Sequence, residues 1–230
     1  MTRLQEIDIA ARPVDRFLPL LGEEQMNVVK EVAAKVRKIA EGRAFWNVNS
    51  TARGGGVAEI LRSLLPYVRG AGIDARWLVI DGTPEFFRIT KRLHNAVHGS
   101  EGDGSPLGEQ ERAVYEEVLR ANAEELVGLV SPRDFVLLHD PQTAGLAPHL
   151  IRAGAVVIWR SHIGHDQLND EVERGWSFLA PYLEDVHATV FSRDAYIPDC
   201  CDGGRSAVIP PSIDVFSAKN QDLDEATVRA

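Results

Sequence analysis

The chain has 230 residues, of which 44% are hydrophobic and 26% charged, a composition typical of globular proteins and not of disordered or fibrous ones. Its 34 acidic and 25 basic residues give a formal net charge of -9, which argues against binding to nucleic acid or to an anionic membrane. There is no apolar run of ~20 residues and no signal-peptide pattern, and the adjacent Cys200 and Cys201 cannot link distant segments, so we expect a soluble cytoplasmic protein.

The first 43 residues predict a helical extension that packs on the domain. Residues 1–21 show no clean hydrophobic period. Between residues 23 and 40, apolar side chains recur at steps of three and four, which predicts an amphipathic helix. Gly42 then suits the C-terminal end of that helix.

From residue 44 onward, short apolar runs alternate with longer helical stretches. The predicted strands are residues 44–48, 77–80, 135–138, 155–159, 189–191 and 207–209. The predicted helices between them are residues 57–69, 85–97, 108–130, 142–153 and 171–183, with Pro66 expected to kink or shorten the first. This alternation predicts an α/β fold over residues 44–216, a Rossmann-like parallel sheet with helices on both faces.

A glycine-rich loop follows the first predicted strand. In open parallel sheets, ligands bind where the strands end, and here residues 49–56 read Asn-Ser-Thr-Ala-Arg-Gly-Gly-Gly directly before a helix. Gly54, Gly55 and Gly56 would let the backbone approach a phosphate or a sugar hydroxyl closely. The loop matches neither GxGxxG nor a P-loop, and a flexible turn without a ligand is the alternative.

Polar residues also follow the strand at 135–138. Asp140 could accept hydrogen bonds from two sugar hydroxyls, and the neighbouring His139 and Gln142 could add further ones. The alternative is that Asp140 caps a helix whose first residue is Pro141, which is a common pairing. Both can hold, because a helix N-terminus would lie at the same crevice.

Arg160, His162, His165 and Asp166 follow the strand at 155–159. No cluster elsewhere supplies a further ligand at zinc-type spacing, so we expect no metal site. Arg160 is better suited to binding a polyol or a phosphate, and His165 and Asp166 to a local turn. We expect no catalysis from Cys200 and Cys201, and we expect the four tryptophans to lie in the core.

Six segments, in order, resemble the glycosyltransferring trehalose synthases, a family 4-like group of retaining glycosyltransferases with the two-domain GT-B fold. They are residues 47–51 (NVNST), 54–60 (GGGVAEI), 75–77 (ARW), 139–142 (HDPQ), 159–163 (WRSHI) and 210–214 (PPSID). The resemblance implies transfer of an α-glucosyl group from a nucleoside-diphosphate glucose to glucose, which gives trehalose with retention of configuration.

The resemblance also implies a domain organisation. Residues 44–216 would form the acceptor-binding domain, and residues 217–230 would begin the linker to a missing C-terminal donor-binding domain. The chain alone is therefore expected to be inactive. The alternatives are a non-catalytic sugar-binding or relic lobe, a trehalose phosphorylase or another retaining GT-B enzyme. A nucleotide-dependent oxidoreductase is disfavoured because GxGxxG is absent.

Site roles follow from the same resemblance. Asp140 and His162 would be catalytic residues that hold the sugar, and the residues expected to bind substrate are Gly54, Gly55, Gly56, His139, Gln142 and Arg160. No cofactor or bound metal is expected, although a divalent ion in the donor domain is left open. The partners would be a sugar acceptor such as glucose and a nucleotide sugar held by the missing domain, with homodimerisation left open.

Overall fold

A parallel sheet organises the described part of the chain, residues 4–201, 203–217 and 220 of a computed structural model. The strands are β1 (Gln5–Ile7), β2 (Phe45–Asn49), β3 (Ala75–Val79), β4 (Phe135–His139), β5 (Val156–Ser161), β6 (Ala188–Phe191) and β7 (Ser206–Val208). The α-helices are α1 (Leu18–Ile39), α2 (Gly56–Gly70), α3 (Pro84–Val97), α4 (Glu109–Leu129), α5 (Ala147–Arg152) and α6 (Asp170–Leu183).

The order of the strands is β1-β3-β2-β4-β5-β6-β7. All neighbouring strands run parallel except β1, which pairs antiparallel with β3. The predicted α/β fold is therefore confirmed. Strands β3 and β4 lie on opposite sides of β2, so the direction of winding reverses there, and the carboxyl ends of β2 and β4 form a topological switch point.

Helices cover both faces of the sheet. Strand side chains alternate between faces, so Leu78 belongs to a large core with α3, α4, α5 and α6, whereas Trp77 and Val79 pack with α2. The four tryptophans are buried as predicted, and each keeps at most 7% of its surface exposed. These packed faces hold the strand ends, and the loops that follow them, in fixed positions.

Strand β1 was not predicted from the sequence. It lies in the segment without a hydrophobic period, and its three residues are too few for alternation to show. By joining the edge of the sheet through β3, it makes part of the N-terminal extension a piece of the sheet. Of the predicted linker at 217–230, only residues 217 and 220 are described, and the rest lies outside the described residues.

Two helix predictions need correction. Helix α2 continues through Pro66 to Gly70, so the proline does not shorten it. Pro66 is buried, and this burial offsets the hydrogen bond that its missing N–H cannot make. The helix predicted at 142–153 begins later, at Ala147, after a 3-10 turn (Ala144–Leu146), because Pro148 is suited to the first turn of a helix. No helix in the described ranges is both long and apolar enough to cross a bilayer.

Candidate functional site

A cavity of about 370 Å³ opens at the switch point, at the carboxyl ends of β2 and β4. It is lined by the loop after β2, the start of α2, one residue of α3, and the segments that follow β4, β5 and β6. Seven of the eight predicted site residues line it: Gly54, Gly55, Gly56, His139, Asp140, Gln142 and His162. The structure therefore brings these residues together in one crevice.

The glycine loop leaves the start of α2 open to this cavity. Gly54 and Gly55 have φ angles of 74° and 82°, a left-handed conformation that glycine adopts without strain. A Cβ added at Gly54, Gly55 or Gly56 would meet no atom within 4 Å. No side chain caps the helix that follows Gly55, so its first N–H groups remain available to a ligand or to water.

Asp140 is the buried carboxylate of the cavity. Its backbone has a φ of 62°, an unusual value for a residue other than glycine and one that is often found at functional sites. The carboxylate accepts a hydrogen bond of 2.7 Å from the backbone N–H of His162. Burial raises the pKa of Asp140 to about 7, although the His162 N–H and the charge of Arg160 act in the opposite direction.

The helix-cap alternative for Asp140 does not describe this geometry. The carboxylate binds a loop that follows β5, while the next α-helix begins only at Ala147. The 3-10 turn in between has Thr143 at its N-cap and no side-chain cap. Asp140 therefore links two strand ends across the cavity.

His139 and His162 form a buried hydrogen-bonded chain with Asn47. The amide nitrogen of Asn47 donates to the carbonyl of Arg76 at 3.5 Å, which leaves its oxygen to accept from His139 Nε2 at 3.3 Å. His139 Nδ1 must then accept, and His162 Nε2 donates to it at 2.9 Å. This assignment follows from the network and leaves His162 Nδ1 as a hydrogen-bond acceptor.

Both imidazoles are neutral at physiological pH. Burial lowers the pKa of His162 to about 3, with the charge of Arg160 as a second cause. Burial also lowers the pKa of His139 well below its ordinary value, and the neighbouring His162 and Arg160 add to this effect. The pair is therefore suited to hydrogen bonding with hydroxyl groups and not to donating a proton.

Arg160 lies behind the cavity and does not line it. Its Nη2 donates to the carbonyl of Ile209 at 3.2 Å, and its Nε is buried without a partner among the described residues. Burial lowers the pKa of the guanidinium, whereas the nearby Asp140 raises it. Direct binding of substrate by Arg160 stays a prediction, and what the structure shows is an electrostatic effect on Asp140 and His162.

Among the polar residues that line the cavity, Asn49, His94 and Ser192 were not predicted as site residues. Asn49 ends β2 and Ser192 follows β6, so the rule of strand ends could have found both. His94 lies on α3, where no such rule applies. Burial lowers the pKa of His94 to about 4, so this imidazole is also neutral.

The segment after His162 forms the local turn that was predicted. His165 Nδ1 lies 2.7 Å from the carbonyl of Gln167, and Asp166 pairs with Arg193 at 2.9 Å. Within the described residues, no group of three or more His, Cys, Asp and Glu side chains could hold a metal ion. Cys200 and Cys201 are free thiols whose sulfur atoms are 3.9 Å apart.

The family model for the trehalose synthase N-terminal domain matches residues 47–198. The chain belongs to this family. A trehalose synthase from Pyrococcus horikoshii is 37% identical over 99% of this chain and 52% of its own length. A trehalose phosphorylase from Pleurotus sajor-caju is 28% identical over 92% of this chain and 30% of its own length. The resemblance seen in the sequence is thereby confirmed.

This chain spans about half the length of the curated trehalose synthases that it matches. Among solved structures, an alpha,alpha-trehalose-phosphate synthase (UDP-forming) from Burkholderia vietnamiensis gives a TM-score of 0.51 at 17% identity. The match covers 67% of this chain and 41% of that one. At this identity it shows the fold alone, that of a GT-B N-terminal domain.

Proposed function

We propose that the chain is the acceptor-binding N-terminal lobe of a retaining glucosyltransferase that makes trehalose from a nucleoside-diphosphate glucose and glucose. One observation supports this most strongly: the glycine loop, Asp140 and His162 follow three different strands and line the same cavity. Membership of the trehalose synthase family adds the reaction class. The donor-binding lobe would be supplied by a second half, as the greater length of the relatives suggests.

The polar groups of the cavity suit a sugar that carries both donors and acceptors. With a pKa of about 7, Asp140 is partly ionised at neutral pH, and its ionised carboxylate can accept hydrogen bonds from a pair of adjacent hydroxyls. His162 Nδ1 can accept one more. The N–H groups at the start of α2 can donate to a hydroxyl oxygen or to a phosphate of the donor.

Transfer with retention needs no protein nucleophile in this proposal. The bond between glucose C1 and the phosphate oxygen breaks, and an acceptor hydroxyl bonds to C1 from the same face. The acceptor proton passes to the departing phosphate oxygen. The lobe would contribute by positioning the acceptor and by stabilising the charge that develops on C1, tasks that fit a carboxylate and neutral imidazoles.

The test is product analysis with the two-lobed protein, by which we mean this chain followed by its donor-binding half. Offered glucose and several nucleoside-diphosphate glucoses, it should release trehalose, identified by NMR from its linkage. The 230-residue chain alone should fold but transfer essentially no glucose, because the reaction centre lies between the lobes. Comparable turnover by the chain alone would overturn the lobe assignment.

A phosphorylase is the second candidate, since a trehalose phosphorylase is 28% identical over 92% of this chain. The same assay separates the two, because a phosphorylase would form trehalose from glucose and glucose 1-phosphate without a nucleotide sugar. A non-catalytic lobe is tested by the gene, where a stop codon directly after residue 230 would support it. A reading frame that continues for a similar length would support the enzyme.

A further inference from the structure

Helix α1 presents a stripe of apolar side chains to solvent. Four side chains are exposed to solvent: Val28 by 56%, Val32 by 52%, Val36 by 37% and Ile39 by 63%. Their spacing places them along one side of the helix. The side chain of Met26, on another side of α1, is only 1% exposed. Met26 is the one buried residue of the described helix, and the apolar stripe faces water.

Four charged residues flank this valine stripe (Val28, Val32, Val36 and Ile39). At 100° per residue, Glu24, Glu31, Lys35 and Lys38 fall along one edge of it, and all four are exposed. The two glutamates lie nearer the start of the helix and the two lysines nearer its end. The edge is thus acidic in its first half and basic in its second.

We propose that the valine stripe is the interface with a second copy of this chain, in which the two α1 helices pack antiparallel about a two-fold axis at Val32. In an antiparallel pair of identical helices, each edge faces the same edge of the other copy in reverse. Val28 of one copy then packs against Val36 of the other. Glu31 faces Lys35, and Glu24 faces Lys38, so every charge on the edge meets its opposite.

The charge pattern is what selects this occupant and this direction. In a parallel pair, this edge would face the opposite edge of the other copy, where Val29 and Ala33 lie, so the four charges would meet no opposite charge. The helical stretch from residue 23 to residue 39 is about 25 Å long at 1.5 Å per residue, so the two stripes alone would form an interface of modest size. We therefore expect a dimer with a Kd in the range of about 1–100 µM.

Sedimentation equilibrium of the 230-residue chain tests the interface. The chain should dimerise, and Val32→Glu should weaken the dimer at least about a hundredfold, because it buries two like charges on the axis. Leu168→Glu is the matched control: Leu168 is also exposed, by 69%, but precedes α6, so this change should leave the dimer intact. Circular dichroism confirms that each variant is folded. A monomer at ~100 µM, or a dimer insensitive to Val32→Glu, would overturn the proposal.

Charge reversal tests the direction. Glu31→Lys alone and Lys35→Glu alone should each weaken self-association by about tenfold, since each places like charges opposite one another twice in the dimer. An equimolar mixture of the two variants should recover the wild-type affinity as a heterodimer. In that heterodimer both lysines of the first variant, at positions 31 and 35, face the two glutamates of the second, at positions 35 and 31. If the mixture associates no better than the separate variants, the antiparallel arrangement is wrong.

Discussion

Strand β4 is flanked by two buried aspartates, and they have opposite surroundings. Asp134, before the strand, is 4% exposed, and Asp140, after it, is 9% exposed. The Asp134 carboxylate accepts from the backbone N–H of Ala44 at 2.9 Å, from the indole of Trp46 at 3.0 Å and from the N–H of Ser131 at 3.0 Å. In the described part of the chain, the Asp140 carboxylate is seen to accept only from the N–H of His162.

The difference separates a structural carboxylate from one that suits a ligand. The Asp134 carboxylate links the residue before β2 to the turn that precedes β4, and most of its acceptor positions are occupied by these hydrogen bonds. Asp140 faces a cavity with acceptor positions left over, and burial raises its pKa to about 7. The two aspartates are buried to a similar extent, so the number of hydrogen-bond donors around each carboxylate is what distinguishes their roles.

The largest effect we expect is on stability, from Asp134→Ala. The change leaves the backbone N–H of Ala44 and the indole N–H of Trp46 buried without an acceptor, which should lower the free energy of unfolding by about 3–5 kcal/mol. For a chain of this size, this corresponds to a fall in Tm of about 10 °C, measured by thermal unfolding. A loss below ~1 kcal/mol would show that Asp134 is not the structural member of the pair.

Asp140→Asn should act on catalysis instead. Asparagine keeps an oxygen to accept from the His162 N–H, so we expect stability to change little at acid pH, where the wild-type carboxyl is also neutral. It cannot accept from two hydroxyls as a carboxylate does, so kcat/KM of the two-lobed protein should fall about ten- to a thousandfold, or ~1.4–4 kcal/mol. Asp134→Asn is the control, and below its unfolding temperature it should keep the kcat/KM of the wild type.

His162→Ala should lower kcat/KM by a similar factor and couple with Asp140→Asn. Two residues that hold one ligand are not independent, so the double variant should lose less than the sum of the two single losses, by more than about 0.5 kcal/mol. Additive losses would mean that the two residues do not share a substrate, which would contradict the proposed site.

The pH dependence of unfolding gives a further test of the surroundings of Asp140. Between pH 5 and pH 7 the Asp140 carboxyl remains protonated when folded but ionises when unfolded, so its contribution to stability falls as pH rises, by about 2–3 kcal/mol. His139 and His162 have lowered pKa values and act oppositely, since their contribution is lost as pH falls below 6.5. Comparing the wild type with Asp140→Asn isolates the first effect: the variant should gain stability relative to the wild type as pH rises.

Much of the fold and of the site could be predicted because both depend on strand ends. Apolar runs predicted six of the strands. The rule that ligands bind where parallel strands end also predicted that residues after β2, β4 and β5 meet at the carboxyl edge of the sheet, as the structure has them. The contrast between Asp134 and Asp140 could not be predicted, since it depends on donors 90 and 22 residues away along the chain. His94 was missed because periodicity shows that a helix packs but not which of its residues reaches a cavity.

His94→Ala should therefore have a smaller effect, confined to substrate binding. A neutral imidazole at the wall can make one hydrogen bond to a sugar hydroxyl, and its loss should raise KM for the acceptor about three- to tenfold with little change in kcat, or ~0.7–1.4 kcal/mol. His98→Ala is a close control, because His98 stacks edge-on against His94 but does not line the cavity. Equal effects of both changes would point to helix packing instead.

The smallest effect we expect comes from Gly56→Ala, and its sign is informative. Gly56 lies at the start of α2 without a positive φ, and a Cβ there meets no atom within 4 Å, so alanine should raise stability by about 0.4–1 kcal/mol. If a ligand approaches the loop closely, the same methyl group should raise KM by about threefold. Gly55→Ala is the contrasting variant, since its φ of 82° makes alanine strained, and stability should fall by about 1 kcal/mol. A Gly56→Ala protein that is more stable and has an unchanged KM would mean that the loop is a plain turn, and that the polar end of β4 alone contacts the sugar.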